Sequence, residues 1–157
     1  SIERRLEAMR RFHNAGVRTT CFISPIFPGI TDVKAIVARV KDQCNLIWLV
    51  NLNLRGGYKA GIMDYIRRQH FALLPLYQEI YDRNDRGYWQ QLDTDLRTFA
   101  VEMGLDYLTN DDSMNRSFED PPIMVNFFYH SEIKKNARKE GSGRAGNAGS
   151  GGCKTGA

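Results

Sequence analysis

Cysteine is scarce in this chain: 157 residues contain three, Cys21, Cys44 and Cys153. An odd number of widely separated cysteines does not build a disulfide framework, and no two stand at a metal-ligand spacing, so a stapled secreted scaffold and a zinc module are excluded. Cys21 and Cys44 read as small buried apolar residues. Long hydrophobic runs are missing as well. The apolar stretch 46–50 is far too short to cross a bilayer. Charged residues occupy the N-terminus, where a signal peptide needs an apolar segment. No membrane partner is expected, and the cytoplasm is the expected location. There is no Walker loop, dinucleotide fingerprint, zinc spacing or nucleophile elbow. The chain opens Ser-Ile-Glu-Arg-Arg-Leu without an initiator methionine and already at helical spacing, so residue 1 reads as a cut edge.

Basic charge is plentiful overall, with a net charge of +4 and a pI near 9.0, but it is unevenly placed. Residues 134–157 hold Lys134, Lys135, Arg138, Lys139, Arg144 and Lys154 against Glu140, a net of +5 that leaves residues 1–133 at −1. The folded body is therefore not basic. A nucleic-acid partner would have to use the tail, which makes that reading the weakest of those available. From Gly141 onward seven of the fourteen glycines lie among serine, alanine and asparagine, a composition that cannot bury enough apolar surface to order itself, so 138–157 is expected to be a disordered Gly-rich basic tail.

At 42% hydrophobic residues, the chain has enough apolar mass for one real core. Ser1 can cap a helix in which Ile2, Leu6, Met9 and Phe12 share a face, and Gly16 stands where a left-handed C-terminal residue is wanted. Residues 17–26 read as a strand stopped by Pro28-Gly29. Thr31 or Asp32 caps a second helix, with Val33, Ile36, Val37 and Val40 at helical spacing, running to about residue 43. Residues 46–54 form a second strand, continuously apolar in its first half, as a parallel strand covered on both faces would be. Gly56-Gly57 break the chain before a third helix over about 58–69. This alternation predicts a parallel sheet with right-handed crossovers, open or curled into a barrel, and the two strands should be parallel neighbours. Beyond His70, two further helices carry Leu74, Tyr77, Ile80 and Tyr81, then Trp89, Leu92, Leu96, Phe99 and Met103. Residues 123–129 read as a final strand after a polar loop containing Asp111, Asp112, Pro121 and Pro122.

Ligands in parallel α/β architectures sit at the carboxyl ends of strands, which directs attention to two segments. The second strand ends Asn51-Leu52-Asn53-Leu54-Arg55, and a period of two would put Asn51, Asn53 and Arg55 on one face, where amides and a guanidinium converge. The structural alternative is that they solvate a strand end or cap the next helix. The first strand ends Ile23-Ser24-Pro25-Ile26-Phe27-Pro28-Gly29, a turn rigidified by prolines that either positions a ligand or simply connects strand to helix. His13, His70 and His130 have no neighbouring ligand set. Asp111 and Asp112 are adjacent loop residues, so all five read as surface groups.

The opening helix with Ala15-Gly16-Val17, followed by Ile23-Ser24-Pro25-Ile26-Phe27-Pro28-Gly29-Ile30-Thr31-Asp32, resembles radical S-adenosylmethionine (radical SAM) proteins of the spore photoproduct lyase-like branch over about residues 1–58. That family's fifth-strand pattern, Gly-x-Ile-x-Gly-x-x-Glu, falls on Pro25, Phe27, Gly29 and Asp32, of which only the glycine is identical. Asn51-Leu52-Asn53-Leu54-Arg55-Gly56-Gly57-Tyr58, Thr109-Asn110-Asp111-Asp112-Ser113-Met114 and Val125-Asn126-Phe127-Phe128-Tyr129-His130 resemble the narrower radical SAM mobile pair protein B type. They extend the likeness to about residue 135.

The resemblance implies the C-terminal portion of a partial (β/α)6 TIM-like barrel. Residues 1–70 would supply the last two β/α units, and 71–137 a helical appendage and C-terminal strand. The family's Cys-x3-Cys-x2-Cys motif would lie upstream and is absent here, so this chain alone would bind no cluster. In intact relatives a [4Fe–4S] cluster and S-adenosylmethionine together yield a 5′-deoxyadenosyl radical that abstracts hydrogen from a substrate, here unknown, and the cofactor supplies that chemistry. By the same resemblance, Ser24, Pro25, Ile26 and Phe27 would line the adenine or ribose, and Asn51, Asn53 and Arg55 would face the barrel mouth. A second radical SAM protein encoded alongside would be a partner. The rival readings are a small α/β binding or scaffold protein, and a nucleic-acid-binding accessory acting through the tail.

Overall fold

The computed structural model describes residues 1–109, 123–126 and 128; the expectations for Asp111, Asp112, His130 and the glycine-rich tail lie outside these described residues. Helix α1 spans Ile2–Asn14 and begins where Ser1 Oγ accepts the Arg4 N–H at 3.4 Å. It ends as its glycine requires. Gly16 takes a φ of 76°, the Val17 N–H donates to Phe12 O at 3.0 Å, and the Gly16 N–H donates to His13 O at 2.9 Å. These two bonds satisfy carbonyls that a helix end otherwise leaves open. No residue of α1 is fully buried, and only Leu6 and Met9 among its apolar residues rest on the core.

Strand β1 spans Thr20–Ile26, starting three residues later than its apolar pattern suggests. The reason is local: the Thr19 N–H donates to the Asn45 side-chain oxygen at 3.0 Å, and Thr19 Oγ1 donates to Gln43 O at 3.2 Å. Side-chain bonds thus hold the approach to the strand, and the ladder begins at Thr20. Helix α2, Val33–Val40, is capped by Asp32, whose Oδ1 accepts the Ala35 N–H at 2.9 Å, and it buries Val33, Val37 and Val40.

Strand β2, Leu46–Asn51, pairs with β1 in parallel, with Thr20 opposite Leu46 and Ile23 opposite Leu49. The expected neighbour relation therefore holds. The strand stops three residues short of Leu54 because hydroxyl groups take over from a neighbouring strand. Tyr81 Oη donates to Leu52 O at 2.8 Å and Tyr58 Oη donates to Asn53 O at 2.6 Å.

Helix α3 covers Tyr58–Gln69, followed by a short 3-10 turn at Phe71–Leu73, helix α4 at Leu74–Tyr81 and helix α5 at Gly87–Glu102. Gly104 ends α5 as Gly16 ends α1, with φ 68° and the Leu105 N–H donating to Ala100 O at 2.8 Å. Two more strands follow, β3 at Asp106–Thr109, which sequence pattern does not reveal, and β4 at Ile123–Asn126. Among the described residues all pairings are parallel and the order is β1-β2-β4-β3. The protein is thus an α/β fold on a small parallel sheet. Helices α4 and α5 follow His70, and β3 and β4 extend the same sheet that β1 and β2 begin.

Strand alternation sorts the side chains onto two faces. Ile23, Ile47, Leu49 and Met124 face the helices and join Val37, Val40, Trp89, Leu96 and Ala100 in the main core. Each fully buried Val, Leu or Ile contributes roughly 1.5–3 kcal/mol. The alternate residues Leu46, Ile123 and Val125 form a smaller cluster. On that register, Phe22 and Trp48 lie opposite each other with ring centroids 5.7 Å apart. Among the described residues no helix is long and apolar enough to cross a membrane.

Candidate functional site

Because β1 and β2 run parallel, their carboxyl ends reach one edge of the sheet, and a bulge joins them there. Between Ile23 and Ile26 β1 advances three residues while β2 advances two, from Leu49 to Asn51, and the Leu52 N–H donates to Ile26 O at 3.0 Å. Ser24 and Pro25 form the bulge, through a cis peptide bond, and both are exposed. Ile26 is fully buried in the main core, so its side chain serves packing and only its backbone reaches the rim.

Phe27 turns the chain into α2. Its carbonyl accepts the Ile30 and Thr31 N–H groups at 3.1 and 3.0 Å, and its own N–H donates to Thr31 Oγ1 at 3.0 Å. Its half-buried ring packs against Leu52, Leu54, Met63, Ile66 and Tyr77. Gly29 closes the turn with φ 69°, its N–H donating to Tyr88 Oη at 3.0 Å; a Cβ there would meet Leu73 Cδ2 at 2.9 Å. The left-handed conformation favours glycine here, and a Cβ would also have to displace a Leu73 methyl.

On the β2 side, alternation places Leu52 and Leu54 in the core beneath α3 and α4, while Asn53 and Arg55 are exposed. Those two polar side chains meet: Arg55 Nε donates to Asn53 Oδ1 at 2.9 Å. Asn51 stands apart. It lies within β2 opposite buried Ile26 and is half-buried, whereas Asn53 and Arg55 follow the strand's end. The pair joins an amide to a guanidinium, donors suited to a carboxylate, phosphate or hydroxyl group. The larger described cavity, about 650 Å³, lies at the outer edge of β1 and is lined by none of Ser24, Phe27, Asn51, Asn53 and Arg55.

A second polar cluster, joining α5, β3 and the carboxyl end of β4, has no signature in sequence spacing. Tyr107 Oη and Asn126 Nδ2 both donate to Asp93 Oδ1, at 2.7 and 2.5 Å, and Asn126 Oδ1 accepts the Phe128 N–H at 2.7 Å. Arg97 stacks over the Tyr107 ring at 4.9 Å. Burial, reinforced by the Asp93 carboxylate, raises the Tyr107 pKa well above the usual phenol range and keeps it a donor. Asn126 lies opposite Leu49 of β2, so this cluster shares the sheet edge with the Asn53–Arg55 pair.

The two described cysteines do not come together as cluster ligands. Burial raises the Cys21 thiol, Cys44 is buried with its thiol donating to Val40 O at 3.3 Å, and Cys153 lies outside the described residues. Among the described residues no three His, Cys, Asp or Glu side chains come together as a metal site.

No known family pattern matches the chain, and no solved structure matches it. An uncharacterized protein of the archaeon Methanocaldococcus jannaschii is 34% identical over 55 residues, which cover 35% of this chain. The aligned stretch spans only 21% of that relative's length.

Proposed function

We propose that this chain is the C-terminal part of a radical SAM enzyme acting in the cytoplasm on an unknown substrate, and that its β1 and β2 ends form part of the rim of a partial barrel. The observation that carries the reading is the joined carboxyl edge. Two parallel neighbours end together, with exposed Ser24 and Pro25 on one and the Asn53–Arg55 pair on the other. Polar donors gathered at that end are where a cofactor or substrate is held in parallel α/β folds.

The described residues do not fit a [4Fe–4S] cluster, so its ligands are assigned to a three-cysteine segment upstream. When bound, the cluster and S-adenosylmethionine supply the radical chemistry. This chain's share is positioning. Phe27 offers an apolar edge to the adenine or ribose, beside the exposed Ser24-Pro25 bulge. Arg55, whose Nε donates to Asn53 Oδ1, places a guanidinium on this rim, a group whose charge and geometry suit a carboxylate or hydroxyl of S-adenosylmethionine or substrate. Asn51 supplies a polar group from the strand itself. A second radical SAM protein encoded alongside is the proposed partner.

The test is equilibrium binding of S-adenosylmethionine to the longer polypeptide, reconstituted anaerobically, with and without Arg55→Met. About tenfold weaker binding with an unchanged thermal midpoint supports the rim assignment, since a charge-assisted hydrogen bond contributes roughly 1.5–3 kcal/mol. Equal affinity removes Arg55 from the site.

A further inference from the structure

Asn126 closes β4 at the edge where the strands end, and its side-chain amide is held in one orientation. Its Nδ2 donates to Asp93 Oδ1 at 2.5 Å, and its Oδ1 accepts the Phe128 N–H at 2.7 Å. A carboxylate oxygen only accepts and a backbone N–H only donates, so the amide cannot turn over without losing both bonds. Asp93 is itself fixed. Its Oδ1 also accepts the Tyr107 hydroxyl at 2.7 Å, and Arg97, stacked on the Tyr107 ring at 4.9 Å, brings a guanidinium to 3.8 Å from Oδ2.

The bond from Tyr107 already ties α5 to the sheet, so the Asn126 amide does more than a tie requires. It carries two N–H donors and two acceptor lone pairs, and the bonds to Asp93 and Phe128 use one of each. The neighbouring strand brings a second amide to the same face. Leu49 of β2 lies opposite Asn126, and Asn51 follows Leu49 by two residues, so all three side chains face the helix layer. A strand spacing of about 4.8 Å and a two-residue advance of about 6.6 Å put the two asparagine backbones roughly 8 Å apart. Both asparagines are half-buried, and the Asn51 side chain makes no hydrogen bond among the described residues.

The surroundings restrict what these amides hold. A carboxylate or phosphate accepting from Asn126 would stand beside the Asp93 carboxylate, and the like charges would oppose it. A hydroxyl offers a single oxygen to both the donor and the acceptor of Asn126. A carboxamide is neutral and carries the two on separate atoms, spaced as Asn126's own nitrogen and oxygen are. The rim then divides its work: the Arg55 guanidinium suits an acidic or hydroxyl part of a ligand, and the asparagines suit an uncharged amide.

We infer that Asn126, with Asn51, binds a carboxamide group of the substrate, such as a side-chain amide or a lactam, and that Asp93 is the positioning residue that fixes the Asn126 amide. The inference rests on the proposed rim. Its test needs neither cluster nor S-adenosylmethionine, so its failure and the failure of the radical SAM reading are separate results.

The test uses the full chain, isotopically labelled, and follows the side-chain amide signals of Asn51 and Asn126 by NMR during titration with 2-pyrrolidinone, whose N–H and C=O lie on one edge. Both signals should shift. N-methyl-2-pyrrolidinone, which keeps the carbonyl and loses the donor, should bind about fivefold more weakly. Asp93→Asn gives Asn126 a neighbour that both donates and accepts, so the amide is free to turn over. That variant should lose the preference for 2-pyrrolidinone over its N-methyl form, a selectivity that a merely structural Asp93 would leave unchanged. Asn51→Ala breaks no side-chain hydrogen bond among the described residues, keeps the fold and should weaken 2-pyrrolidinone about threefold. Equal binding of the two lactams, shifts confined to residues away from Asn51 and Asn126, or tighter binding of acetate or cyclopentanol would each overturn the inference. Shifts with adenine and none with 2-pyrrolidinone would also overturn it by giving these amides to the cofactor, and selectivity intact in Asp93→Asn would overturn the positioning role.

Discussion

Arg55 Nε and Asn53 Oδ1 lie 2.9 Å apart on the exposed side of a segment whose intervening residue, Leu54, is buried beneath α3 and α4. Neighbouring positions thus have opposite duties. Asn53→Leu should change unfolding free energy by no more than about 0.5 kcal/mol, because the Asn53 side chain is exposed and the bond from Tyr58 is to its backbone carbonyl. Leu54→Ala should cost about 2–4 kcal/mol through lost burial and the cavity left behind. Urea denaturation midpoints of the two variants check this, and equal losses would show that Asn53 is a packing residue.

Tyr77 is fully buried, and its hydroxyl has no hydrogen-bond partner among the described residues. Burial pushes its pKa, and that of Tyr81, far above the usual phenol value. The sign follows from linkage: the unfolded chain releases these protons near pH ~10 while the folded chain retains them, so stability is full below that pH and falls as pH rises beyond it. Tyr77→Phe removes an unanswered polar atom and should be neutral or stabilising by about 1 kcal/mol at pH 7, with a shallower loss above pH ~10. Denaturation at pH 7 and pH 11 measures both. Destabilisation of the variant at pH 7 would mean that the hydroxyl has a partner.

The isolated chain, reconstituted anaerobically with iron and sulfide, should remain colourless, because its three cysteines lack a cluster spacing in sequence and no metal-ligand set comes together among the described residues. A stoichiometric [4Fe–4S] absorption spectrum would relocate the metal centre to this chain.

Much of this fold is legible in residue order, and the exceptions have physical causes. Val33, Val37 and Val40 announce α2, and Gly16 announces the end of α1, because helix burial and left-handed backbone leave local marks. β3 leaves none. Its four residues include only Tyr107 and Leu108 as apolar positions, too few to show a period of two, and its strand identity comes from pairing with β4. The ends of β1 and β2 are set by side chains outside the strands, and Asn45 and Tyr81 act across 26 and 29 positions, which no local window contains.

The rim divides in the same way. Leu52 and Leu54 alternate visibly with Asn53 and Arg55, so the exposure of the polar pair could be anticipated, while the burial of Ile26 depends on the bulge at Ser24 and Pro25. The Asp93, Tyr107 and Asn126 cluster joins residues 33 positions apart at its extremes, and nothing in their spacing links them.

The most direct test of the account is S-adenosylmethionine cleavage by the proposed longer polypeptide, in which a Cys-x3-Cys-x2-Cys segment would precede this chain. Under anaerobic reduction, 5′-deoxyadenosine formation should be present. With Asn53→Leu it should fall about tenfold at subsaturating S-adenosylmethionine, while iron content and thermal midpoint stay unchanged. Absence of cleavage in a protein with full iron content, or cleavage indifferent to both Asn53→Leu and Arg55→Met, would contradict the assignment of this edge to a radical SAM site.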